Sequence, residues 1–138
     1  MTPTITRPAS TEFLAIDHVQ LGMPPGGDVA ARAFYAGALG LSERAPPPGL
    51  CGWWFHAGGV ELHLNTEEGY RATRRVHPAL HVRGLDALVA RCAEAGFPVR
   101  WDTRYPGRRR CFVSDPFENQ LELFEVDEEA RREHVGLA

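Results

Sequence analysis

Apolar and polar residues alternate with period two over several short stretches of the chain, and at two places the apolar positions recur with helical spacing. Residues 14–20 read as a strand, ended by the breaker cluster Met23-Pro-Pro-Gly-Gly27. Asp28 predicts the N-cap of a helix running to about Leu39, with Val29, Ala30, Ala33, Phe34 and Ala38 as its apolar stripe and Gly40 at its C-terminal end. A short strand is expected in residues 41–46, before the Pro/Gly punctuation of residues 46–49. Residues 51–56 and 60–65, joined by Ala57-Gly-Gly59, carry a hairpin signal. Further on, residues 77–83 read as a strand and residues 85–95 as a helix closed by Gly96, with Leu85, Leu88, Val89, Cys92 and Ala95 on one face. Three short strands follow at residues 99–103, 110–114 and 120–126, separated by Tyr105-Pro-Gly107 and Asp115-Pro-Phe-Glu-Asn119.

The order strand, helix, run of strands therefore occurs twice. His18 and His77 stand 59 positions apart, Glu61 and Glu122 stand 61 apart, and Gly40 and Gly96 stand 56 apart. Offsets this similar predict a duplicated α+β unit, with modules of about residues 13–66 and 76–126 inside one domain spanning residues 13–126. Residues 1–12 are expected to form a loose arm, and residues 127–138 a charged tail with a short surface helix over residues 127–133.

Composition narrows the class. At 138 residues, with 43% hydrophobic and 24% charged residues, the chain can build one ordinary core. No apolar run is long enough to span a bilayer, and the start lacks the apolar region of a secretory signal. A net charge of −3 favours neither nucleic acid nor anionic membrane, so a soluble cytoplasmic protein acting on a small molecule is the expectation. Every one of the 15 basic residues is arginine. Cys51, Cys92 and Cys111 show no CxxC spacing, which argues against a disulfide framework or a thiolate zinc site.

Strand parity supplies the chemistry. Val19 and Leu21 share one face while His18 and Gln20 share the other. Leu62 and Leu64 oppose Glu61, His63 and Asn65. Leu80 and Val82 oppose His77, Ala79 and His81, and Leu121 and Leu123 oppose Gln120, Glu122 and Phe124. Such alternation is the ordinary wet side of a sheet. Here, however, the two opening strands offer His18 and His77 and the two closing strands offer Glu61 and Glu122. A sheet curled into a cup would bring two imidazoles and two carboxylates together, a set suited to a divalent transition metal. His63 competes with Glu61 as ligand, or orients it, and His81 and Gln20 stand in the same supporting shell. Trp54, Phe124 and Arg110 are the expected lining of the substrate pocket, whereas the run Arg108-Arg109-Arg110 as a whole reads first as a solvated turn.

Three motifs carry a resemblance. Asp17-His18-Val-Gln-Leu21, Phe34-Tyr35-Ala-Gly-Ala-Leu-Gly-Leu41 and Asp115-Pro-Phe-Glu-Asn-Gln-Leu-Glu122 together resemble the vicinal oxygen chelate superfamily over residues 13–126. Glu118 departs from the pattern at a turn position usually occupied by glycine. The resemblance implies two βαβββ modules forming a cup-shaped mixed sheet with helices outside, commonly in a homodimer. It implies His18, Glu61, His77 and Glu122 as ligands of nickel, zinc, cobalt, manganese or iron, in the His-Glu-His-Glu arrangement of glyoxalase I. The implied activity is that of a lyase or isomerase: the metal chelates vicinal oxygens of a small substrate, and Glu122 or Glu61 removes the adjacent proton to give an enediolate. An extradiol dioxygenase, a thiol transferase and a non-enzymatic drug-binding protein of the same superfamily are the alternatives. The site lies either within one chain or across a dimer.

Overall fold

A computed structural model describes residues 10–127 of the chain. Alternation produces eight strands: β1 (Val19–Met23), β2 (Ser42–Arg44), β3 (Trp53–Ala57), β4 (Val60–Thr66), β5 (Ala79–His81), β6 (Arg100–Asp102), β7 (Arg108–Ser114) and β8 (Gln120–Val126). They form two four-stranded sheets of the same topology, β1-β4-β3-β2 and β5-β8-β7-β6. In each, the opening strand runs parallel to the closing one and the other pairs are antiparallel. This is the doubled βαβββ fold. The arm expected at residues 1–12 and the helix expected at residues 127–133 fall largely outside the described residues; residues 10–18 are without regular secondary structure, and Phe13, Leu14 and Ile16 are exposed there.

The first helix differs from the expected one. α1 (Asp28–Arg32) begins with Gly27, not Asp28, at its N-cap, and continues as a π-helix over Ala33–Ala38. The Leu39 amide donates to the Phe34 carbonyl five residues back at 2.9 Å. The wider turn rotates the inward face, so that consecutive Phe34 and Tyr35 are both fully buried while Val29 of the expected stripe is 75% exposed. α2 (Leu85–Glu94) keeps the predicted face, with Leu85 and Cys92 buried. Both helices cover the apolar sides of the sheets, where Phe55, Leu62, Leu64, Cys111, Val113, Leu121 and Leu123 form one core with Phe34 and Tyr35. The same burial pushes the Cys111 thiol up to about 11 and raises that of Cys92. Cys51 is exposed, and all three cysteines are free.

The modules are tied by polar contacts as well as by the core. The Tyr35 hydroxyl donates to Asp115 Oδ2 at 2.7 Å, Arg91 donates to the Leu39 carbonyl, and Asn119 Nδ2 donates to the Gly22 carbonyl at 2.8 Å. Gly22 has a steric reason: a Cβ there would lie 2.2 Å from the Tyr70 ring.

Candidate functional site

The faces of the two sheets turned away from the helices carry the polar residues predicted by parity. In the first module, register sets Trp54 beside His63 and His63 beside Gln20, with His56 beside Glu61 in the next row. The His63 ring is buried in a stack, 3.9 Å from Trp54 and 4.1 Å from His18 between centroids. Its Nε2 lies 3.0 Å from Glu61 Oε1, and Arg44, lying over Trp54, donates to the same Glu61 oxygen. The bond from His63, followed by that from Arg44, holds the Glu61 carboxyl below the usual carboxylate range. His18 Nδ1 contacts its neighbour Asp17 at 2.8 Å.

In the second module Glu122 is 4% exposed and receives Arg110 Nη1 at 2.5 Å. Arg110 also lies 3.4 Å from Asp102, which Arg104 grips through side chain and backbone. Those bonds, led by the Arg104 guanidinium, hold the Asp102 carboxyl well below its ordinary range. His77 is exposed, bonded through Nδ1 to the Arg75 carbonyl and edge-on to Phe112 at 5.1 Å. The β5–β8 register pairs Ala79 with Glu122, whereas in the first sheet His18 immediately precedes the Val19–Leu62 pair and Glu61 precedes Leu62. His81 stacks on Phe124 at 4.7 Å.

His18, Glu61, Ala79 and His81 line a cleft of about 410 Å³ between the modules. His77 and Glu122 are not among the residues that line it. As arranged here, these donors do not fit a divalent ion. Glu122 is bonded to Arg110, Glu61 to both Arg44 and His63, and the stacked His18 and His63 rings lie in near-parallel planes, so their nitrogens do not converge. Among the described residues, no three His, Cys, Asp or Glu side chains form a metal-holding group. A cation placed at Glu122 also meets the fixed charge of Arg110, a repulsion of about 4 kcal/mol per unit charge at 4 Å in a partly screened site.

Trp54, Phe124 and Arg110 do lie on the cup face together with Glu122 and Glu61. Sequence reasoning missed Arg44, Asp102, Tyr105 and Phe112. The signal for Arg44 was its alternation with Glu43 in a strand of three residues. For Asp102 it was an acid in a strand of three flanked by arginines.

The comparisons agree with this geometry. The model of the glyoxalase-like domain family matches residues 27–124. A glyoxalase family protein of Bacillus anthracis is 35% identical, covers 86% of this chain and 99% of its own, and superposes with a TM-score of 0.81. The lactoylglutathione lyase of Agrobacterium tumefaciens is 26% identical, over 80% of this chain and 92% of its own, with a TM-score of 0.62. TnmS3, an antibiotic-binding protein of a Streptomyces species, is also 26% identical, over 83% and 100%, with a TM-score of 0.62. No curated protein matches the chain. A family match over most of the length and a shared fold with a 35% identical relative place this chain in the glyoxalase-like domain family of the vicinal oxygen chelate superfamily.

Proposed function

We propose that this protein binds a planar organic small molecule in its cup and holds it without chemical conversion. The observation that carries the reading is the state of the two candidate carboxylates. Each is bonded to a guanidinium of its own sheet, Glu61 to Arg44 and Glu122 to Arg110, amid aromatic rings. Neutralised acids and flat rings suit stacking and edge recognition of a ligand better than capture of a cation. His18, at the end of the stack Trp54–His63–His18, and His81, stacked on Phe124, supply the aromatic surface of the cleft that both line. The similarity to TnmS3, an antibiotic-binding protein, supports this reading. A cytoplasmic location and a homodimer belong to this reading.

A metal-dependent lyase or isomerase is the second reading, favoured by the closeness of His18, His63 and Glu61 and by the lactoylglutathione lyase relative. It requires Arg110 to release Glu122 and His77 to turn inward, with Glu122 or Glu61 then serving as base. A dioxygenase or a thiol transferase would demand the same rearrangement. Dialysis against nickel, zinc, cobalt, manganese or iron, followed by elemental analysis, separates the readings. The binding reading expects less than stoichiometric uptake, unchanged by Glu122→Gln. One tightly held ion per chain, lost in that variant, would overturn it in favour of the enzyme.

A further inference from the structure

The run Arg108-Arg109-Arg110 is not a solvated turn but part of β7, where alternation separates its members. Arg109 points away from the cup and pairs with Asp86 of α2 at 2.9 Å. Arg108 and Arg110 share the cup face with Phe112. Arg110 spends its charge on Glu122 and Asp102. Arg108 does not: its guanidinium is packed between Tyr105 at 4.4 Å and Phe124 at 4.3 Å, and no carboxylate among the described residues pairs with it. Arg100 lies over Phe112 at 4.9 Å, likewise without an acid among the described residues. Among the described residues, the carboxylates of Asp102 and Glu122 are bonded to arginines, whereas Arg100 and Arg108 lie against aromatic rings with no carboxylate paired to them.

The geometry around Arg108 says what this charge is suited to hold. Tyr105 and Phe124 both lie against the guanidinium without accepting its N–H groups as a carboxylate would, and an arginine N–H fork matches a carboxylate or sulfonate. Beside it, Arg110 Nε is buried without an acceptor, a further N–H donor in this region. Phe124 also stacks on His81, and His81 lines the cleft between the modules, so flat surface leads from the cleft to the unpaired cation. We propose that the molecule held in the cup is an aromatic or conjugated acid, its plane against His81, which lines the cleft and is itself stacked on Phe124, and its anionic group on Arg108. This deepens the small-molecule reading above and rests on it.

Two fluorescent probes of one skeleton test the assignment: anilinonaphthalene sulfonate and its uncharged parent, phenylnaphthylamine. The wild-type chain is expected to bind the sulfonate at least about tenfold more tightly than the parent, and the preference should shrink as salt is raised. Arg108→Gln should weaken the sulfonate about tenfold and leave the parent unchanged. Arg108→Lys should restore only part of the loss, because the charge returns without the fork. Equal affinity for the two probes in the wild-type chain, insensitive to salt, would overturn the anion assignment while leaving a binding cup in place. An Arg108→Gln chain that holds both probes as the wild type does would overturn it too. Failure of both probes to bind the wild type would overturn the cup-binding reading and this proposal with it.

Discussion

Asp102 is 7% exposed and ionised because Arg104 supplies both its backbone amide and its guanidinium, at distances down to 2.6 Å, with Arg110 at 3.4 Å behind. A carboxyl whose pKa is depressed by folding stabilises the fold above its unfolded value of about 4 and loses that contribution as pH falls through the folded value. The protein should therefore lose stability below about pH 4, and Arg104→Gln should flatten that loss while lowering stability at pH 7. Urea midpoints at pH 7 and pH 3 read both effects; equal slopes in the two chains would show that the pair contributes nothing. At this scale, parity in the sequence put Glu61, Glu122 and Phe124 on the face opposite the apolar residues, because a strand alternates whatever its neighbours are. It did not show that Arg44 and Arg110 bond those glutamates, because that depends on which strand lies alongside and in what register.

Between β7 and β8 the chain turns through Asp115–Asn119, where Glu118 adopts φ 70°, the one left-handed residue other than glycine among those described. Asp115 Oδ1 accepts the Phe117 and Asn119 amides at 2.8 Å each, and the Asp115 carbonyl accepts the Glu118 amide, so the turn enforces that conformation. An L residue pays roughly 1–2 kcal/mol there, partly offset by the chain entropy that glycine adds when unfolded. Glu118→Gly should raise stability by up to about 1 kcal/mol, seen as a higher urea midpoint with an unchanged slope; a lower midpoint would mean that the glutamate side chain contributes more than its backbone costs. The duplicated elements were legible because amphipathic alternation and glycine punctuation survive in both halves. What stayed hidden is contained in two offsets, 59 for the histidines and 61 for the glutamates. Their difference of two residues keeps parity but moves His77 one step along its face, so that Ala79 stands beside Glu122. The π-helix was equally hidden, since nothing in the spacing of Ala33–Ala38 distinguishes it from an ordinary turn until Tyr35 meets Asp115.

The two modules act as one body through the buried side chains of Asp115 and Asn119. Four donors converge on the Asp115 carboxylate: the Tyr35 hydroxyl, the Phe117 amide, and both the amide and Nδ2 of Asn119. Asn119 in turn donates to the Gly22 carbonyl of β1 and accepts from the Tyr70 hydroxyl, joining the first module, the connecting segment and the second module at one point. Burial nevertheless pushes the Asp115 carboxyl above the usual carboxylate range, with these bonds pulling against it. Asn119→Ala removes one of the four donors and leaves the Gly22 carbonyl and the Tyr70 hydroxyl without their partner, a loss of about 3 kcal/mol at pH 7. The same change raises the folded pKa of Asp115 further. An acid whose pKa is raised by folding costs stability above that pKa, and the cost fades as it takes up its proton, so the deficit of the variant should shrink on acidification from pH 7 to pH 5. Urea unfolding of both chains at the two pH values measures it. A deficit of the same size at both would mean that Asp115 does not sense Asn119.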